Sequence, residues 1–426
     1  MQRIINWINF EKLLSLLLGI SVGTNIVYLF SVGNTYFVIS EVYSVLLFIL
    51  LVLCKKVKFK QFIKIVPFSF KLFIITILFS SIAVLVTFEQ IGLFYRYIVG
   101  IIALGISITA MINVITLFEY RKYIATGLGV GIVINILFSI IQYVTFQKGI
   151  AFTYLYDLFV QPSFHLNVYN FGAQGLFLEP SHMMHFFVAA IPIWFVWRYK
   201  NNLVNILAIF AIFVTCAMSG AGTSMVVFLV IIFLFLAKLS LKNGRFLAKR
   251  KTVIKWTIFL TILGILCIII IPQTSMFSNI STEINHYFKL AMEGSNIADS
   301  SNTERLTSMK TAIRLIPRNP IGCGWNMVHT LLEENTLLGT ATAFSDILEM
   351  TLELGIIGIS FYLYGMMSII GNCIKKRQLE YRGIAIALVA ILIMQLLGDN
   401  SFNPLMFMTI GWGIGLINLV GERGKR

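Results

Sequence analysis

The chain has 426 residues, 58% of them hydrophobic and only 12% charged, with a formal net charge of +15. So little charge excludes an ordinary soluble globule, and the placement of the cations, described below, excludes nucleic acid as the partner. The apolar residues arrive in runs long enough to cross a hydrocarbon core about 30 Å thick, and backbone groups in lipid have to be satisfied within their own segment, so the runs are helices. The period-two alternation of a membrane barrel is absent. The expected fold is an all-α polytopic membrane protein, a single integral membrane domain over 1–426.

Twelve spans are expected, at about 13–33, 36–54, 65–87, 95–118, 124–146, 183–198, 203–219, 223–239, 256–272, 343–370, 383–397 and 405–420. The first run, Leu13 to Ser31, has no clear small-residue cleavage site and is expected to stay as a span rather than leave as a signal peptide. The sixth and eleventh spans are short. The tenth is long, so its first turns are expected to rise above the bilayer or line a cavity. With both termini cytoplasmic, the inner segments 1–12, 55–64, 119–123, 198–202, 238–255, 375–382 and 421–426 hold 25 of the 33 Lys and Arg residues. Lys71 lies within a span and is placed to snorkel inward. Arg96, Lys148, Lys289, Arg305, Lys310, Arg314 and Arg318 remain outside. The positive-inside rule sets this orientation, and the large positive charge is mostly an inner-surface topology signal. Cys54, Cys216, Cys267, Cys323 and Cys373 are odd in number and unpatterned, which argues against a disulfide framework.

Two external loops are long, 147–182 and 273–342, and loops of that length tend to be functional or disordered. The first is aromatic (Tyr154, Tyr156, Phe159, Phe164, Tyr169, Phe171), which suits interfacial anchoring or sugar stacking. It ends in "GLFLEPSHMMHFF", bringing Glu179, His182 and His185 to the outer boundary of the sixth span. Glu179 beside Pro180 is suited to capping that helix. The cluster lacks the spacing of a zinc site with a third ligand, so no metal is expected. "SGAGTS", Ser219 to Ser224, reads as a tight turn or a phosphate cradle.

In the second loop, Ser301-x-x-Glu304 reads as a capping box that starts a helix near Asn302. Leu306, Met309, Ile313 and Ile316 recur at helical spacing on one face, Lys310 and Arg314 lie a turn apart on another, and Pro317 ends the helix with Arg318 in the turn after it. This amphipathic helix is expected to lie on the external membrane surface or cap a cavity. Its cations fit either anionic headgroups or a phosphate or diphosphate, which the guanidinium fork matches bidentately. Gly322 and Gly324 allow a tight turn or a close approach of backbone to ligand. Asp346, Glu349 and Glu353 then form one stripe at the start of the tenth span, with Asp399 on the last external turn. Acids near the outer surface, beside a basic loop, favour an external polar site over a midplane transport path.

"NTERLTSMKTAIRLIPRNPIGCGW" followed by "FSDILEMTLELGIIGISFYLYG" resembles the O-antigen polymerase (Wzy) and O-antigen ligase superfamily. The pattern is carried by Arg305, Pro320, Gly322, Gly324, Glu353, Gly355 and Gly358, and "GLFLEPSH" looks like the capsule-polymerase variants. The resemblance implies a GT-C-like bacterial glycosyltransferase of about twelve transmembrane helices. It would act at the external face of the cytoplasmic membrane on an undecaprenyl-diphosphate-linked oligosaccharide. A flippase and a chain-length regulator are the implied partners beside membrane lipids, and no cofactor is implied. Phe344 and Ser345 stand where ligases carry a His-Asn pair, and the first-loop Arg and the Ser-Arg pair after the seventh span are missing. These departures favour a capsule or exopolysaccharide polymerase over a ligase. Arg305 and Arg314 are the candidates for stabilising the leaving diphosphate, with Lys310 and Arg318 as helpers. Glu349, Asp346, Glu179 and His329 are candidates for activating or orienting the acceptor, and His182, Gly322 and Gly324 for binding substrate. A lipid-linked oligosaccharide flippase is the competing class; it would carry charge at the midplane and repeated halves, and neither is found.

Overall fold

The computed structural model describes residues 2–24, 28–32, 35–87, 91–148, 172–177, 179–197, 202–221, 223–242, 300–335, 342–398 and 404–420. The ninth expected span, most of the first long loop, residues 273–299 and 336–341 of the second, and Asp399 lie outside these residues. The described chain is almost wholly helical, as its apolar runs dictate. Among the described residues four helices are long and apolar enough to cross a membrane: Tyr97–Thr116, Phe118–Thr145, Asp346–Ile374 and Leu379–Leu397. A fifth is a pair, Phe59–Ile65 and Phe68–Ser80, bent by 105°. Pro67 stands in that break, where its missing N–H and fixed φ interrupt the helix. Shorter apolar helices occupy Ile39–Leu53, Asn205–Ser219, Ser224–Lys238 and Pro404–Leu419.

The chain divides into two compact units. The first comprises Met1–Ser40, Lys122–Asn296 and Lys376–Ala387. Helix α1 (Gln2–Ser21) ends well before the expected limit of the first span. An antiparallel hairpin of β1 (Tyr28–Val32) and β2 (Thr35–Val38) follows, where the sequence reading had placed the end of one span and the start of the next. The alternating apolar segments on either side of Gly33-Asn34 favour such a hairpin. Helix α2 runs Ile39–Leu53, α3 Phe59–Ile65, α4 Phe68–Thr87, α5 Ile91–Thr116 and α6 Arg121–Gln147.

Helices α1 and α6 meet through glycines four apart on each, Gly19 and Gly23 against Gly127 and Gly131. A Cβ at Gly127 would stand 2.1 Å from the Leu16 carbonyl oxygen, and one at Gly19 2.2 Å from that of Ile124. Dispersion at this spacing replaces the hydrophobic drive that lipid does not provide. One turn further, α6 presents buried Asn135 and Gln142 to the loop 172–177. Asn135 donates to the Gly23 and Gly131 carbonyls and accepts the Leu176 N–H. Gln142 accepts the N–H groups of Gln174 and Gly175 and donates to the Gly175 carbonyl. The loop thereby satisfies its backbone away from water and leads into α7 (Pro180–Trp197). Helices α8 (Asn202–Ser219) and α9 (Ser224–Lys242) follow. Between them the Ser219 and Ser224 hydroxyls lie 2.9 Å apart and Gly220 takes φ +63°.

The second unit comprises Glu41–Arg121, Ile297–Lys375 and Leu388–Arg426. It holds α10 (Ser300–Leu315), α11 (Val328–Asn335) and α12 (Asp346–Ile374), with most of α2 to α5 and α14 (Pro404–Gly415). Helix α13 spans Leu379–Leu397. Buried Tyr362 of α12 packs on Phe70 and Phe73 of α4 and donates to Gln395 Oε1 at 2.8 Å.

The α1–α6 contact is testable. Gly127→Ala drives a methyl into main chain that no side-chain rotation relieves, and overpacking of this kind costs about 1–3 kcal/mol. Its melting temperature in detergent should fall, whereas Gly105→Ala and Gly371→Ala, which meet nothing within 4 Å, should melt like the wild type.

Candidate functional site

Helix α12 is broken at Gly355, whose φ of +68° and ψ of 179° no helix accommodates. The break leaves carbonyls and an N–H without helical partners, and the loop after α10 supplies them. Cys323 N–H donates to the Leu352 carbonyl at 2.7 Å, Gly324 N–H to that of Glu353 at 3.0 Å, and Ile356 N–H to that of Pro320 at 3.2 Å. A Cβ on Gly322 would lie 2.3 Å from the Glu353 oxygen, and one on Gly355 2.3 Å from the Pro320 oxygen. Gly322 and Gly324 also hold φ of +96° and +105°. The two glycine motifs therefore interlock main chain to main chain. What Gly322 and Gly324 approach is the protein's own helix.

Glu353 completes the joint. Its buried carboxylate accepts the backbone N–H groups of Asn326 and Val328, which caps the start of α11. Trp325 is buried beside Gly100 of α5, where a Cβ would come within 3.0 Å of the indole.

Helix α10 packs on this joint through Ser308, Ala312 and Leu315, with the latter two in one apolar cluster with Val328, Leu332, Ala343 and Leu352. The sequence reading placed the apolar face at Leu306, Met309, Ile313 and Ile316. Ile316 does pack against the cluster, but Ile313 is 56% exposed. Small residues, which hydropathy underweights, let α10 approach α12. The helix starts at Ser300, ahead of the capping box, and a short 3-10 turn, Ile316–Arg318, holds Pro317 and Arg318.

Arg305 lies at the edge of the packed stripe, its guanidinium 5.2 Å from the centroid of the Phe344 ring. That distance is a cation–π contact. Phe344 adopts φ +51°, a left-handed conformation uncommon for a bulky residue. Its segment is held on both sides. The Ser308 hydroxyl donates to the Thr342 carbonyl, and Glu349 Oε1 accepts the Ala343 N–H at 2.9 Å. Ser345 donates to the Gln395 carbonyl at 3.3 Å, and the Asp346 N–H to that of Gly398 at 3.0 Å. Asp346 is buried, Glu349 half-buried, and His329 half-buried in the first turn of α11. A guanidinium in such a contact still has N–H groups to offer to anionic oxygens.

The other cations do not share this place. At 100° per residue, Lys310 lies about 140° and Arg314 about 180° around α10 from Arg305. Lys310, Arg314 and Arg318 are all exposed. Lys310 and Arg314 thus leave α10 on a different side from Arg305.

Glu179, His182 and His185 belong to the first unit. Glu179 is exposed and its Oε2 accepts the Ser181 hydroxyl at 3.1 Å. The rings of His182 and His185 lie 6.4 Å apart, and His185 Nδ1 donates to the Ser181 carbonyl at 2.8 Å. Among the described residues no group of three or more His, Cys, Asp and Glu side chains is placed to hold a metal. Sequence reasoning missed Phe344 as a platform, having noted it only as a departure, and missed Asn326, whose left-handed backbone (φ +61°) turns the chain into α11.

Burial, and then the nearby Glu353 carboxylate, push the Cys323 thiol up to about 12. Below that pH the thiol stays protonated and unreactive, so maleimide should leave Cys323 unlabelled at pH 8 in the folded protein. Gly355→Ala should open the interlock and speed labelling of Cys323 at the same pH, read by mass spectrometry of the peptide. Fast labelling of the wild type would contradict the interlock.

No curated protein matches the chain. The interlock, the Arg305 platform and the capping of α11 all lie within residues 207–363, which match the family model described as O-antigen ligase, in agreement with the O-antigen polymerase and ligase superfamily.

Proposed function

We propose that this membrane glycosyltransferase-like enzyme polymerises polyprenyl-diphosphate-linked oligosaccharide repeat units for a bacterial surface polysaccharide, at the outer face of the cytoplasmic membrane. The observation that carries the reading is the cation–π contact of Arg305 with Phe344 beside the joint between the two glycine motifs. In the reaction an acceptor sugar hydroxyl attacks the anomeric carbon of the donor. The bond from that carbon to the diphosphate oxygen breaks, and the lipid diphosphate leaves with the electron pair. Arg305 meets the charge that develops on the leaving oxygen, and an aromatic platform keeps the guanidinium in place before the reaction begins. The hydroxyl proton goes to a carboxylate. Glu349 is our choice, because it is half-buried and reaches the main chain one residue from Phe344. Arginine supplies the positive charge that a divalent ion would supply elsewhere.

Polymerisation is favoured over attachment of finished polymer by what stands at 344 and 345. The Phe344 ring carries Arg305, and the Ser345 hydroxyl is committed to the Gln395 carbonyl. Neither supplies a base for a ligase-type acceptor.

The test is deletion of the gene, with lipid-linked and surface glycans profiled after complementation by equally expressed variants. Wild type should restore long polymer, and Arg305→Ala should leave single repeats on the lipid carrier outside. Loss of one such donor costs about 100- to 1000-fold in rate. Phe344→Leu, which removes a cation–π contact of about 0.5–1 kcal/mol, should slow chain growth roughly two- to fivefold, and Phe344→Tyr should retain it. Polymer that accumulates on the carrier without attachment in the deletion strain would make the protein a ligase. Repeats confined to the inner leaflet would make it a transporter.

A further inference from the structure

The break in α12 divides that helix by exposure as well as by geometry. From Asp346 to Leu354 every residue is buried or half-buried. Immediately after Gly355 come Ile356 and Ile357, 54% and 64% exposed, followed on the outer surface by Tyr364, Met367 and Ile374. Residues 356–374 make a helix about 28 Å long, close to the thickness of a hydrocarbon core. This division fits entry of α12 into lipid at Gly355, with the segment before it above. The interlock fixes the loop after α10 at that same level, because Ile356 N–H donates to the Pro320 carbonyl. The next residue, Ile321, is 83% exposed. Along α10 from this point lie exposed Arg318, Arg314 and Lys310, with exposed Ile313 between the last two.

We infer that the Lys310–Arg314–Arg318 face of this unit, with Ile313 and Ile321, is a docking surface for the anionic phospholipid headgroups that surround the upper end of the α12 span. Ile321 sits at the level of the Gly355 break, and Arg318, Arg314 and Lys310 lead away from it with Ile313 among them, the mixture of apolar and phosphate contacts that an interfacial segment makes. Anionic lipid is the occupant because the three charged side chains of this face all carry the same sign, and cations beside an anionic surface are drawn to it. The face also explains a cationic cluster that the positive-inside rule leaves without a cause on this side of the membrane. It is separate from Arg305, which α10 turns toward Phe344, and the inference does not rest on the transfer chemistry.

The test is native mass spectrometry of the full-length protein released from nanodiscs of mixed phosphatidylcholine and phosphatidylglycerol. Wild type should retain phosphatidylglycerol over phosphatidylcholine several-fold beyond the bulk ratio. The triple variant Lys310→Gln, Arg314→Gln, Arg318→Gln should lose that preference, and Arg314→Gln alone should reduce it; melting temperature verifies that each variant is folded. Hydrogen exchange over 305–321 should slow in anionic relative to neutral nanodiscs for the wild type only. Equal retention of the two lipids by the wild type, or an unchanged preference in the triple variant, overturns the proposal. Displacement of the retained lipid by inorganic pyrophosphate also overturns it, since the face would then be a diphosphate site.

Discussion

Everything at the candidate site depends on one backbone-to-backbone contact, that between the loop 320–324 and the break at Gly355. A helix interrupted within an apolar interior leaves main-chain carbonyls without helical partners, and each buried orphan costs several kcal/mol. The loop satisfies them with its own N–H groups, which it can do only if neither strand carries a Cβ at the crossing points. The glycines are thus needed for approach. Once the loop is seated, α10 is fixed against α12, α11 is capped by Glu353, and Arg305 comes to rest over Phe344.

The same joint converts the acidic stripe into scaffolding. Asp346, Glu349 and Glu353 line one face at the start of α12, the first tied to backbone by its own N–H and the other two by their carboxyl groups. The Asp346 N–H goes to Gly398, the Glu349 carboxylate to Ala343, and the Glu353 carboxylate to Asn326 and Val328. A carboxylate that accepts a backbone N–H rigidifies its surroundings, and rigidity is what an electrostatic site needs, since dipoles already in place cost nothing to reorganise. Glu349 alone of the three combines such a tie with partial exposure, so it can serve both as support and as proton acceptor. The cations divide in a corresponding way. A helix displays residues five and nine positions apart on different sides, so one basic segment serves two surfaces.

The sequence made much of this legible. The helix over 300–315, its end at Pro317, the long tenth helix, and the family pattern were all readable from periodicity and motif. What was not legible followed from physics that single residues do not display. The apolar face of α10 was misplaced because Ser308 and Ala312, small rather than greasy, are the residues fully buried on it. The hairpin over 28–38 was absorbed into two spans because β-branched and aromatic residues score as membrane-apolar. Its Gly33-Asn34 pair was the available signal. The Gly322 and Gly324 pair was readable as a close approach, but what it approaches lies more than thirty residues away. Phe344 was visible only as an absence, the residue standing where a histidine was looked for.

The most direct measurement of the central claim is a structure of the protein in a nanodisc with an unreactive polyprenyl-diphosphate-linked oligosaccharide bound. The account predicts diphosphate density at the Arg305 guanidinium, beside the Phe344 ring and within reach of the segment held by Glu349. Diphosphate seated between Lys310 and Arg314, with Arg305 in contact only with protein, would contradict it.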